Sequence, residues 1–159
     1  MFRRATLLTA VIAVMIVATA GVAMAERWIG TNGPDTHAGT AGLDKLYGLG
    51  DADELRGLAE DDKLIGGTGP DTLWAGLGDD HLKGGLGKDL MYGGNGYDKL
   101  YGQEGADVLK GGDQNDHLHV RDGIPRNDFV IGGGGSEDHC YADTRDEIDT
   151  DTCEIIHLP

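Results

Sequence analysis

An aspartate recurs every ninth residue along this chain, at Asp35, Asp44, Asp53, Asp62, Asp71, Asp80, Asp89, Asp98, Asp107 and Asp116. Glycine opens each of these ten units except the one that starts at Ala75, and it recurs at the second and fourth positions of the most regular copies. Those second- and fourth-position glycines are Gly67, Gly69, Gly76, Gly78, Gly85, Gly87, Gly94 and Gly96. Glycine tolerates positive φ and lets backbone carbonyls crowd toward one point. Carbonyl oxygens joined by one carboxylate per turn make a donor set for a hard cation, and Ca2+ takes six to eight oxygens at about 2.3–2.6 Å. These aspartates and glycines are therefore the candidate ligands for several calcium ions. Mg2+ fits less well, since it demands a tight octahedron and keeps its water.

Other site chemistries find little support. Two cysteines and histidines spread along the chain do not offer the clustered spacing of a zinc site. Asp51-x-Asp53 begins like an EF-hand, but no glycine stands at the sixth loop position and no helix flanks it. No Ser-His-Asp order or H-E-x-x-H occurs, and the Gly-x-Gly runs are explained by the period. The expected protein is not an enzyme.

The elements that must position these turns follow from the eighth position. It holds His37, Leu46, Leu55, Leu64, Leu73, Leu82, Met91, Leu100, Leu109 and Leu118. A short strand pointing position eight inward points seven and nine outward, which predicts two facing apolar columns. If units alternate sides, Leu55, Leu73, Met91 and Leu109 form one column, and Leu46, Leu64, Leu82, Leu100 and Leu118 the other. One buried leucine per nine ordered residues is little apolar burial against the entropy of ordering them. The chain is therefore expected to be largely disordered without calcium and to fold on binding it.

The units resemble the glycine- and aspartate-rich nonapeptides of the RTX, or haemolysin-type calcium-binding, family, written G-G-x-G-x-D-x-U-x with U a large apolar residue. The resemblance runs from Gly30 to about Cys140. It implies an all-β fold, a parallel β-roll in which the hexad is a turn and the last three residues are a short strand. Two nonapeptides make one coil, and calcium lies between neighbouring turns. On that scheme Asp71 partners Asp89 and then Asp107, while Asp80 partners Asp98 and then Asp116. The turns 48–53 and 57–62 carry Leu49 and Leu58 at position two and Asp51 and Glu60 at position four, marking them as candidates for weak or empty sites. Gln114 and Arg126 raise the same question farther along. Beyond three inserted residues, Val120 to Asp122, two weaker units follow: Gly123–Ile131 keeps Asp128, and Gly132–Cys140 has Glu137 in the acid position.

The ends read differently. Residues 1–25 carry Arg3 and Arg4, an apolar run and Ala23-Met24-Ala25, the pattern of a secretory signal peptide, with a retained membrane anchor as the alternative. Without that segment the chain has 28 acidic and 11 basic residues, a net charge of −17. Such a chain repels nucleic acid and anionic membranes and attracts cations. Residues 26–140 are expected to form the roll, and 141–159, which lose the period, a C-terminal cap. Cys140 and Cys153 are expected to pair there, as suits an exported chain. The tail also resembles those of short exported members of the family, through Cys140, Asp143, Asp146, Ile148, Cys153 and Glu154.

Outward aromatics at position nine, including Tyr47, Trp74, Tyr92 and Tyr101, leave two readings: a ladder that stabilises the sheet, or a surface for a protein or glycan partner. The expected protein is secreted, extracellular or associated with the cell surface. It is a calcium-dependent structural or surface module, or an adhesion protein with calcium as scaffold.

Overall fold

The computed structural model describes residues 24–124 and 127–159. Apart from Met24 and Ala25, the segment expected to be a signal peptide lies outside these residues, as does Arg126. Among the described residues no helix is long and apolar enough to cross a membrane.

The chain winds into two parallel sheets. Eight strands form one: β1 (Arg27–Ile29), β3 (Lys45–Gly50), β5 (Lys63–Thr68), β7 (His81–Gly87), β9 (Lys99–Gly105), β11 (His117–His119), β13 (His139–Tyr141) and β15 (Ile155–His157). Seven form the other: β2 (Thr36–Ala38), β4 (Glu54–Ala59), β6 (Thr72–Leu77), β8 (Leu90–Asn95), β10 (Val108–Asp113), β12 (Phe129–Gly133) and β14 (Glu147–Ile148). Consecutive strands alternate between sheets, so two nonapeptides complete one coil and Leu46 pairs with Leu64, Leu55 with Leu73. This is the parallel β-roll that the repeat implies.

Strands in the regular region are longer than the three residues expected. β5 takes in positions seven, eight and nine of one unit and one, two and three of the next, and its pairing with β3 resumes at Leu49↔Gly67 and Gly50↔Thr68. The two-residue alternation of a strand explains why. Position one faces the core like position eight, and both are buried in β5, β6 and β8. In the regular coils only small side chains fit where a turn crowds against position one, which accounts for glycine and for the buried Ala75.

The core consists of the two predicted columns. Leu46, Leu64, Leu82, Leu100, Leu118 and Cys140 face Leu55, Leu73, Met91, Leu109 and Val130, all with no exposed surface. The roll also begins earlier than the first repeat unit, which opens at Gly30. Trp28 occupies the eighth-position register beside Leu46 and stacks on His37, ring centroids 4.3 Å apart, closing the N-terminal end of the core. At the other end, β14 and β15 extend both sheets beyond the last glycine-rich unit. The Cys140–Cys153 disulfide forms inside this last coil, with both sulfur-bearing residues buried.

On the outer face, Trp74 and Tyr92 stack in parallel at 5.9 Å. Arg56 covers the free side of Trp74 and Lys110 that of Tyr92, at 4.9 and 5.3 Å from the ring centroids. The ring faces are thus given to neighbours along the sheet, and only the edges are presented outward.

Candidate metal centre

Winding the coil puts the ninefold aspartates into two ladders, one along each edge of the roll. Asp35, Asp53, Asp71, Asp89, Asp107 and Asp128 form the first: each backbone N–H donates to Oδ1 of the next, at 2.7–2.9 Å. Asp44, Asp62, Asp80, Asp98, Asp116 and Asp138 form the second, at 2.6–2.9 Å. The same-side partners expected from the sequence therefore adjoin, and Asp89 and Asp98 fall in different ladders.

The second carboxylate oxygen is the distinctive feature. Oδ2 of Asp53, Asp62, Asp71, Asp80, Asp89, Asp98, Asp107, Asp116, Asp128 and Asp138 is buried without a hydrogen-bond partner. Its surroundings are oxygen-rich. A Cβ built on Gly66 would collide with Asp71 Oδ2 and stand 2.8 Å from the Gly84 carbonyl oxygen of the next coil. At Gly48 the same space meets Asp53 Oδ2 and, at 2.7 Å, the Gly66 carbonyl. Glycine at position one thus keeps open a space into which a carboxylate and a carbonyl from adjacent coils both point. No donor satisfies the carboxylate there, so a cation is the group that this chemistry fits.

The eight glycines at positions two and four have φ between 112° and 138°. They stack closely on the preceding coil: a Cβ on Gly69 would lie 2.5 Å from the Asp51 carbonyl oxygen, and one on Gly85 would strike that of Gly67. Carbonyls of positions two and four therefore line the turns beside the aspartate ladders. In the turns 48–53 and 57–62 the same left-handed backbone is held by Leu49 (φ 85°), Asp51 (65°), Leu58 (94°) and Glu60 (67°). A side chain in that region costs about 1–2 kcal/mol per residue. Asp53 and Asp62 nevertheless present the same orphan oxygen as their neighbours.

Burial raises the carboxyls far above their ordinary range; the N–H bond to Oδ1 works in the opposite sense, and nearby acids add to the rise, Asp79 at Asp98, Asp122 at Asp107 and ladder neighbours at most of the others. Asp80 and Asp116 are pushed up to about 8, Asp89 and Asp128 to about 7, and Asp62, Asp71, Asp98 and Asp107 to about 6. Asp53 and Asp138 move in the same direction.

Two candidate ligands stand apart. Asp35 Oδ2 accepts from the Thr31 N–H and hydroxyl, at 2.6 and 3.0 Å. Asp44 Oδ2 accepts from the Thr40 N–H and hydroxyl, and its Oδ1 from the Glu26 N–H. Threonine at position two adds a hydroxyl donor that glycine lacks beside its backbone N–H, so these first turns are closed by the chain itself.

The other end needs a correction. Asp138, not Glu137, occupies the acid position of the Gly132 unit, because Asp116 N–H donates to it and His139 pairs with His117. Gly135 packs on Gln114 as a fourth position should, so the extra residue lies between Gly135 and Asp138. The inserted residues likewise belong to the turn ahead of Asp128, since buried Val120 takes the place of a position-one residue. Glu154 then continues the second ladder, accepting from the Asp138 N–H at 2.8 Å. Among the described residues no three acidic, histidine or cysteine side chains converge as a preformed metal cluster. This accords with a site built from one or two carboxylates and many carbonyls.

Asp89 separates the two tasks of the ladder. Asp89→Asn keeps an oxygen for the Asp71 N–H and removes the buried charge; Asp89→Ala also leaves that N–H unpaired, a loss of about 1–3 kcal/mol. Both variants are expected to need more calcium for folding, with Asp89→Ala the more disordered at every concentration. Circular dichroism across a calcium titration checks the ranking, and equal curves for the two variants would contradict it.

No curated protein and no solved structure gives a significant match to this chain. A family model described as RTX calcium-binding nonapeptide repeat (4 copies) matches residues 29–64, 56–91, 65–100, 84–118 and 92–126. Those matches span most of the two aspartate ladders, and with the coil and its glycine-lined turns they place the chain in the RTX calcium-binding nonapeptide repeat family.

Proposed function

We propose that this protein is an exported calcium-binding β-roll that takes up several Ca2+ ions between stacked turns and acts as a structural or surface module rather than a catalyst. The observation that carries this reading is the double ladder of buried carboxylate oxygens without donors, from Asp53 to Asp138. Aspartates 53–138 of the two ladders would hold the ions together with carbonyls of positions one, two and four, and Thr31 and Thr40 would exclude Asp35 and Asp44 from that role. Bound calcium supplies the positive charge that the buried carboxylates lack. The disulfide suits an oxidising compartment, which supports export by an N-terminal signal over residues 1–25. Residues 26–140 act as the ion-binding roll and 141–159 as its C-terminal closure.

Native mass spectrometry over increasing calcium tests this reading. Several ions are expected to bind as the charge-state distribution shifts to that of a compact protein. A chain that is compact at all calcium concentrations and takes up no ion would refute it.

A further inference from the structure

The outer face of the eight-stranded sheet carries a cluster that the linear sequence conceals. His117, His119, His139 and His157 are 18 to 22 residues apart or two apart on one strand, and successive coils stack them on one face with Tyr101 and Tyr141. His139 Nδ1 and His157 Nε2 face each other at 3.3 Å in a ring-to-ring hydrogen bond, whose shared proton a cation would replace. With Zn–N bonds of about 2.0–2.1 Å, two nitrogens on one tetrahedral zinc stand roughly 3.3–3.4 Å apart. The pair is already at that spacing.

Its rings are held in place. His117 stacks on His139 with centroids 4.7 Å apart, and Tyr141 stacks on His157 at 4.1 Å. The Cys140–Cys153 disulfide, one residue from His139 and leading into β15, ties together the strands that carry the two imidazoles. We propose that His139 and His157 form a surface site for a borderline divalent cation such as Zn2+, chemically separate from the oxygen-lined turns. Imidazole nitrogen suits Zn2+, Cu2+ and Ni2+, whereas Ca2+ selects oxygen. Two protein ligands leave the remaining positions to water.

The site requires a wound C-terminal half, so it rests on the roll, and separate readouts distinguish winding from zinc binding. Zinc alone is titrated calorimetrically into the oxidised full chain in saturating calcium, while circular dichroism reports winding. The wild-type chain is expected to bind one zinc ion at this face. His139→Gln and His157→Gln are each expected to weaken it by about tenfold or more, with unchanged circular dichroism. His81→Gln, at the far end of the same face, is expected to leave it intact. Either pair variant suffices should the other not fold. Absence of zinc binding, unchanged binding in a folded pair variant, or zinc displaced in proportion to added calcium would overturn the proposal. A chain lacking β structure in calcium would refute the calcium reading, and zinc binding there with no dependence on the pair would refute this one.

Discussion

Removing calcium is expected to abolish most of the β-sheet circular dichroism of this protein at pH 7.5, and restoring it to bring the signal back. The reason lies in the turns. Ten aspartates keep a buried oxygen without a partner, and each buried unsatisfied polar group costs about 1–3 kcal/mol, more when charged. A whole domain is typically stable by only about 5–15 kcal/mol. The apolar column offers little in compensation, because most coils add only two large buried side chains, as Leu64 with Leu73 or Leu82 with Met91. Binding to the folded state alone then drives folding, with a stabilisation that grows as the logarithm of calcium concentration above the dissociation constant. The disulfide will not hold the roll, since Cys140 and Cys153 enclose only the last coil. A full β signal in excess chelator would show that the ladders tolerate their charge unaided.

Protons should replace calcium in part. Burial raises the folded-state carboxyls to about 6 at Asp71 and Asp98, about 7 at Asp89 and about 8 at Asp80 and Asp116, against an ordinary value of 3.8. A group whose folded value is raised stabilises the fold fully below its unfolded value and loses that contribution as pH rises through the folded one. The calcium-free roll is therefore favoured most near pH 4 and loses this contribution progressively as pH rises from there through about 6 to 8. His81, His117 and His119 act in the opposite sense, since burial lowers them and acid charges them. Eight aspartates shifted to about 6–8 outweigh three histidines, so the β signal of calcium-stripped protein is expected to be far stronger at pH 5 than at pH 8. Identical disorder at both values would remove burial of the carboxylates as the cause of calcium dependence.

Much of this arrangement was legible in the residues, because an unbroken period has a geometric meaning. Asp at position six of ten units, and Leu at position eight of all but the two that carry His37 and Met91, specify which residues stack, so Asp71, Asp89 and Asp107 form one ladder and Leu64, Leu82 and Leu100 one column. Alternation of side chains along a strand settles which of them face inward. The pairing of the two cysteines was also readable, as the even complement of a chain expected to be exported.

What the period could not convey lies where it breaks or where contacts cross coils. Asp138 displaces Glu137 from the acid position because one extra residue is absorbed in the turn, and only pairing of β13 with β11 decides where. Thr31 and Thr40 close the first two turns through hydrogen bonds that depend on how each turn folds back on its own aspartate. His139 and His157 meet because 18 residues make one coil, a distance that looks like scatter until the chain is wound. The sequence by itself thus determined the ladder and its core through repetition. The tertiary structure alone decided which rungs lack a partner and which distant side chains touch, because insertions and closure of the ends act on register rather than on composition.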